Sequence, residues 1–156
     1  MNKTNAMRRL DSAKIEYKLL EYIPDENDLS GLHIASEIGL SPSVVFKTIV
    51  AKGDKTGIVV FCIPSDKEID LKAAAVLTGN KRVELIHVKD LLGLTGYIRG
   101  GCSPVGMKKS YSTFFDESVN MTEKITVSAG VRGSVLLLEG AKLVEYLGAK
   151  VGRLTY

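Results

Sequence analysis

The chain has 156 residues, 45% of them hydrophobic and 25% charged, with a net charge of +3. That length fits one globular domain able to bury roughly two thirds of its unfolded surface, so neither disulfides nor a structural metal are needed to hold it together. The mild basicity permits contact with a polyanion without requiring it. No apolar run approaches the ~20 residues of a membrane helix, and the polar start Met1-Asn2-Lys3-Thr4-Asn5-Ala6 lacks the apolar core of a secretion signal, so a soluble, cytoplasmic protein is expected. Cys62 and Cys102 stand forty positions apart with no CxxC or Cys/His spacing, which supports neither a zinc site nor a disulfide framework.

Helical and strand-like patterns alternate along the chain with no repeat and no low-complexity linker, which predicts a single α/β domain over residues 1–156. Thr4 is a candidate N-cap, and Ala6, Met7, Leu10 and Ala13 recur at helical spacing. A strand-like segment over 15–23 follows and breaks at Pro24-Asp25-Glu26-Asn27. Residues 29–38 read as a helix closed by Gly39, and Ser41-Pro42-Ser43 starts a short helical turn, with serine as cap and proline in its first position. Segments 46–52 and 58–63 are rich in β-branched and aromatic residues, and Gly53-Asp54-Lys55-Thr56-Gly57 between them has hairpin chemistry. An alanine-rich helix over 70–77 ends at Gly79, a strand covers 82–86, and a helix over 88–94 ends at Gly96. After a glycine-rich stretch come strands 112–116, 124–128 and 134–138, then a last helix over 141–147 before Gly148. Hairpin-joined and helix-linked strands together predict a mixed central sheet with peripheral helices.

Two stretches carry more glycine than packing requires. Residues 96–106 hold four glycines and Pro104, and the cluster Ser128-Ala129-Gly130-Val131-Arg132-Gly133 lies between two strands. Glycine lets backbone amides approach a ligand that a Cβ would hold away, and proline keeps such a loop open. Either loop could equally be a plain connection; two of them together point to a pocket. Neither GxxxxGK[ST] nor a helix-opening GxGxxG occurs, so nucleotide-triphosphate chemistry is not expected. In the strand 46–52, period two puts Lys47 on one face with Ile49 and Ala51, leaving two readings. Its ammonium either snorkels outward from the strand end, which the pattern alone favours, or points into a pocket.

Phe46-Lys47-Thr48, the run from Leu94 through Gly96-Tyr97-Ile98-Arg99-Gly100-Gly101-Cys102-Ser103-Pro104-Val105-Gly106, and Val127-Ser128-Ala129-Gly130-Val131-Arg132-Gly133 together resemble the YbaK/EbsC family of aminoacyl-tRNA deacylases, relatives of the editing domain inserted in bacterial prolyl-tRNA synthetases. The resemblance covers nearly the whole chain. It implies the fold of that family, a partly barrel-like mixed sheet, and an enzyme that clears misacylated tRNA in trans, with no metal and no cofactor. Lysine followed by threonine, here Lys47-Thr48, is similar to the branch that removes cysteine from tRNA(Pro), whereas the alanine-clearing branch usually has asparagine there.

By the same resemblance, Lys47 is the functional lysine, donating to the aminoacyl end of the tRNA. Gly100 and Pro104 match the GxxxP motif, whose backbone, including the Gly101 amide, would hold the substrate carbonyl as charge develops on it. Ser128 would orient the aminoacyl group, Tyr22 would line the pocket, and Thr48 bears on substrate choice. Cys102 lies inside the motif at a variable position and is not expected to be a nucleophile. The chemistry implied is substrate-assisted: the thiol of the misattached cysteine attacks its own ester, with water-mediated hydrolysis as the competing route. Relatives place a polar group near Val135, which is apolar here. Arg99, Lys108, Lys109, Lys81-Arg82 and the 52–55 segment offer positive charge to an acceptor stem. The expected partners are aminoacyl-tRNA, chiefly tRNA(Pro), and prolyl-tRNA synthetase. Alternatives are a deacylase for Ala-tRNA(Pro) or another small misacylated residue, and a non-catalytic module that associates with tRNA or a synthetase.

Overall fold

Local signals set most element ends in the computed structural model, which describes residues 2–156. Helix α1, Asn5–Ser12, begins where the Thr4 hydroxyl accepts from the Met7 amide. It leads into the short strand β1, Lys18–Glu21. Helix α2, Gly31–Ile38, is capped by Ser30, and a single 3-10 turn over Pro42–Val44 is capped by Ser41. Strands β2, Phe46–Gly53, and β3, Gly57–Pro64, form the expected hairpin, stretched by a residue at each junction. Asp70 caps helix α3, Leu71–Thr78, by accepting from the Lys72 and Ala73 amides. Strand β4, Val83–Leu85, helix α4, Val88–Thr95, and strand β5, Ser112–Asp116, follow. Strands β6, Lys124–Ser128, and β7, Ser134–Glu139, then helix α5, Gly140–Leu147, and strand β8, Lys150–Gly152, complete the chain.

The strands make two sheets instead of one. A five-stranded mixed sheet has the order β4-β2-β3-β5-β8, in which β3, β5 and β8 run parallel to one another and β2 is antiparallel to both β3 and β4. A three-stranded antiparallel sheet has the order β1-β7-β6. The two meet at one bridge between Val45 and Thr126. The partly barrel-like closure expected above is therefore corrected: the large sheet ends in β4 and β8, strands of three residues each, and neither pairs onward.

The large sheet is buried on both faces, which is why β3 reads as an unbroken apolar run. On one face Phe46, Val50, Cys62 and Phe115 pack against Val127 and Leu136 of the small sheet, with Met7 and Leu10 of α1 and Leu143 of α5. On the other, Ala51, Phe61 and Ile63 pack against Ala74 and Ala75 of α3 and against Leu154. The result is a single α/β domain, and no helix among the described residues is long and apolar enough to cross a membrane.

Candidate active site

A cavity of about 330 Å³ opens where the start of β2 meets the end of β1, the first turn of α2 and both glycine loops. Five of the seven residues expected to form a site line it: Tyr22, Lys47, Thr48, Gly100 and Ser128. Lys47 is the only cation in that lining and Glu68 the only carboxylate. The Lys47 ammonium has no ion pair among the described residues. The outward-snorkelling alternative thus gives way to a lysine at a cavity wall. Val135, 3% exposed, makes another part of that wall apolar.

Ser128 ends β6, and its Oγ accepts from the Gly130 amide at 3.1 Å. One lone pair is thereby occupied, and the hydroxyl proton remains available to an acceptor in the cavity. Tyr22 is tied through its own amide to the Gly133 carbonyl at 2.9 Å, which holds the end of β1 against the second glycine loop. Thr48 stands directly opposite Cys62 in the β2–β3 ladder. Burial pushes the Cys62 thiol up, against a smaller opposing pull from the Thr48 hydroxyl. The two do not meet hydrogen-bond geometry, so Thr48 Oγ1 stays buried without a partner among the described residues.

Gly101 and Pro104 are placed differently from expectation. The Gly101 N–H, expected to face the substrate carbonyl, donates to Ile98 O at 3.0 Å within its own turn. A Cβ on Gly101 would lie 3.1 Å from the Arg132 nitrogen and the Val131 carbonyl carbon, so this glycine allows the two loops to touch backbone to backbone. Pro104 is buried and lines a second cavity instead.

Tyr97, which sequence reasoning did not single out, holds both loops. Its hydroxyl donates to Val105 O at 2.5 Å. Gly130 lies on its ring at φ +102°, where an added Cβ would come within 2.9 Å of Tyr97 Cε1. The signal available in the sequence was an aromatic flanked by a glycine loop, which composition cannot distinguish from ordinary packing. The first turn of α1 adds two more ties: Thr4 Oγ1 donates to Ala129 O at 2.6 Å and Asn5 Nδ2 to Gly106 O at 2.9 Å. Arg132 Nε closes the set by donating to Arg99 O at 2.9 Å. Also missed were the contributions of Leu29, Gly31, Ser65 and Glu68. Gly31 sits where a Cβ would meet Ser65 Cβ at 2.3 Å, a close approach with no motif to announce it.

A family model described as the aminoacyl-tRNA editing domain matches residues 32–146, the segment that supplies Lys47, both glycine loops and Ser128. The chain belongs to that family. Among curated relatives of this editing domain, EbsC of Enterococcus faecalis (strain ATCC 700802 / V583), named as a proposed Cys-tRNA(Pro)/Cys-tRNA(Cys) deacylase, is 43% identical over 98% of the chain and 93% of its own length. The uncharacterized protein YwhH of Bacillus subtilis (strain 168) is 26% identical over 75% of the chain and 74% of its own length. Among solved structures, the hypothetical protein APE2540 superposes with a TM-score of 0.89 at 23% identity, over 98% of this chain and all of its own. A proposed trans-editing enzyme for prolyl tRNA synthetase superposes with a TM-score of 0.86 at 21% identity, over all of this chain and 99% of its own. These two establish the fold.

The titratable groups of the editing domain offer little in the way of a protein nucleophile. Burial pushes the Cys102 thiol up to about 11, with a weaker opposing pull from the Thr95 hydroxyl, so at neutral pH it is a thiol and not a thiolate. His33 Nε2 lies 3.7 Å from Glu37 one helical turn on, the pair its spacing predicts, but it is no surface pair: the imidazole is only 20% exposed and this nitrogen is buried without a hydrogen-bond partner among the described residues. His87 precedes α4 as its N-cap residue without a side-chain capping bond. Among the described residues no three His, Cys, Asp or Glu side chains cluster to hold a metal ion.

Proposed function

We propose that the chain is a cytoplasmic aminoacyl-tRNA deacylase that removes cysteine from tRNA(Pro), acting in trans beside prolyl-tRNA synthetase. The observation that carries this reading is the unpaired Lys47 ammonium in a cavity whose other polar groups are hydroxyls, one carboxylate and a protonated thiol. Such a lining can position and polarise an ester but supplies no activated attacking group of its own. The attacking atom then has to come with the substrate or from water. A cysteinyl ester brings one, and the activity for which EbsC is named concerns cysteine on tRNA.

In the proposed step the cysteine sulfur attacks the ester carbonyl carbon. A C–S bond forms, the C–O bond to the terminal ribose breaks, and the thiol proton ends on the released ribose hydroxyl. The product is a four-membered thiolactone that water opens to free cysteine. Lys47 donates to the ester or the terminal phosphate, and Ser128 orients the amino group or carbonyl with its available proton. Because the Gly101 amide is engaged, the oxyanion role falls to the amides of Gly100 and Cys102, which line the cavity and donate to no acceptor among the described residues. Holding thiol and carbonyl in an attack geometry can supply much of the barrier reduction when both belong to one bound group. Room on the order of ten water volumes accommodates an aminoacyl group and part of its ribose.

The test is a deacylation assay on tRNA(Pro) charged with cysteine, alanine, serine or proline. Wild type is expected to release cysteine, and Lys47→Ala to lower that rate by roughly 10²-fold or more. Serine, with a hydroxyl for the thiol, is expected to be nearly inert; serine released as fast as cysteine would replace the thiol route with a water mechanism. Release of alanine without cysteine would reassign the substrate to Ala-tRNA(Pro). No release above spontaneous hydrolysis would leave a binding module.

A further inference from the structure

The loop whose first half walls the aminoacyl cavity walls another cavity with its second half. Gly100 and Cys102 line the former. Pro104 and Gly106 line the latter, a space of about 280 Å³ to which α1 contributes Arg9, the segment before β5 contributes Lys108, Lys109 and Ser110, and α5 contributes Tyr146. We infer that this second cavity seats backbone phosphates of the RNA strand whose acylated end occupies the first. The inference rests on the deacylase reading for the identity of that strand, and on charge and connectivity for the rest.

The charge argument separates this place from the other basic stretches. Lys52 and Arg82 share their cavity with Asp54 and Glu84, and Arg82 pairs with Glu84 at 3.4 Å. The cavity around Lys52 and Lys89 includes Glu84 and Asp90. Those cations are offset within their own surroundings. Around Arg9, Lys108 and Lys109 the lining holds three cations and no carboxylate, and none of the three forms an ion pair among the described residues. A concave, polar lining with uncompensated positive charge favours a phosphate, whose binding to an extended polyanion also releases condensed counterions.

Connectivity argues for RNA over a free anion. Gly100 and Pro104 are four residues apart, so at most about 14 Å of extended chain separates the two walls. The second half of the loop is held in place by Lys108 N–H donating to Thr95 O at 3.0 Å and by the Tyr97 and Asn5 bonds described above. One firm strip of backbone therefore borders both the site for the ester and a site for negative charge. A mononucleotide would fill either; a strand with its 3′ end in the first cavity can reach both.

The experiment measures binding of a fluorescent, uncharged acceptor-stem hairpin ending in CCA between about 50 and 200 mM salt. Wild type is compared with Arg9→Glu/Lys108→Glu/Lys109→Glu and with a control, Lys52→Glu/Lys89→Glu, in the offset patch. The triple variant is expected to bind at least ~10-fold more weakly at the lowest salt and to lose about 2 from the slope of log affinity against log salt, while the control stays close to wild type. Lys108→Gln and Lys109→Gln singly guard against misfolding of the triple variant, each expected to lower the slope by about 0.7–1. Unchanged slopes, equal losses in the control, or no binding by wild type overturn the proposal. Inorganic phosphate or adenosine monophosphate binding there as tightly as the hairpin also overturns it, in favour of a small-anion site. Because the hairpin carries no amino acid, the readout is independent of whether any aminoacyl ester is cleaved.

Discussion

Burial holds the Cys102 thiol protonated up to about pH 11, although it sits in the cavity wall amid residues assigned to the reaction. Alkylation by iodoacetamide in the native protein should therefore be slow at pH 7 and climb steadily toward pH 11, whereas the unfolded chain should react as an ordinary thiol of pKa ~8.5. Cys102→Ala should keep most of its deacylase activity. A rapid, saturating loss of activity on alkylation at pH 7 would contradict both statements. The same raised value has a sign for stability. Well below the unfolded thiol's pKa of ~8.5 both states are neutral and nothing is lost; above it the unfolded thiol ionises first, so ionisation favours unfolding until the folded thiol titrates in turn near 11. The Tyr97 phenol, also pushed up by burial, to about 12 from 10.0, acts in the same direction at higher pH. The urea midpoint should accordingly fall as pH rises from 9 toward 11.

Between elements, the functional geometry is a matter of two loops in backbone contact at Gly101. Adding a methyl there forces the Val131–Arg132 backbone to move by a few tenths of an ångström, because the new Cβ would stand 3.1 Å from it. Gly101→Ala should leave the circular dichroism spectrum unchanged and lower single-turnover deacylation by about 10²-fold, the scale attached to a small misplacement of a positioned group. Equal rates would show that the loop contact is incidental. How far these elements could be read in advance follows from which interactions define them. Helices α1, α2 and α3 follow the caps Thr4, Ser30 and Asp70, whose partners lie two or three residues on; all three helices were legible, but of the caps only Thr4 was, since the expected helices 29–38 and 70–77 take in Ser30 and Asp70. Strand β8 was not: it is three residues long and exists only as the parallel partner of β5, some thirty-five positions earlier. In the site, Lys47, Ser128 and Gly100 were readable because a family motif marks them. Glu68, Ser65 and the first turn of α2 were not, because tertiary packing alone brings them to the cavity.

For the molecule as a whole, the C-terminal residues act as a fastener. Asp116, 3% exposed at the end of β5, accepts from the Leu154 amide at 3.0 Å and from Ser118 N–H and Oγ. Leu154 is fully buried against the α3 side of the large sheet, and its carbonyl accepts from the Asp70 amide at 2.7 Å. Leu154→Ala should cost about 2–5 kcal/mol, read as a lowered urea midpoint at constant slope, since it empties a site enclosed by sheet and helix. A cost below about 1 kcal/mol would mean the segment merely lies against the surface. The division of strands into two sheets belongs to this same scale. Both sheets have alternating and fully apolar strands, and the pairing that separates them, β1 with β7 and β5 with β8, joins segments distant in the chain. Hydrophobic period reports which residues face inward and says nothing of which strand lies alongside.

The bond from Thr4 to Ala129 spans 125 positions and the bond from Asn5 to Gly106 spans 101. During translation at ~5–20 residues per second, the first helical turn therefore waits roughly 6–25 s after its own synthesis before the carbonyl it will hold exists. For that interval the apolar side of α1, with Ala6, Met7 and Leu10, has only part of its core to cover it, since Leu136, Leu138 and Leu143 come later still. The nascent chain should be most exposed to chaperone capture in that window, and the window closes only when ribosomes have passed the second glycine loop.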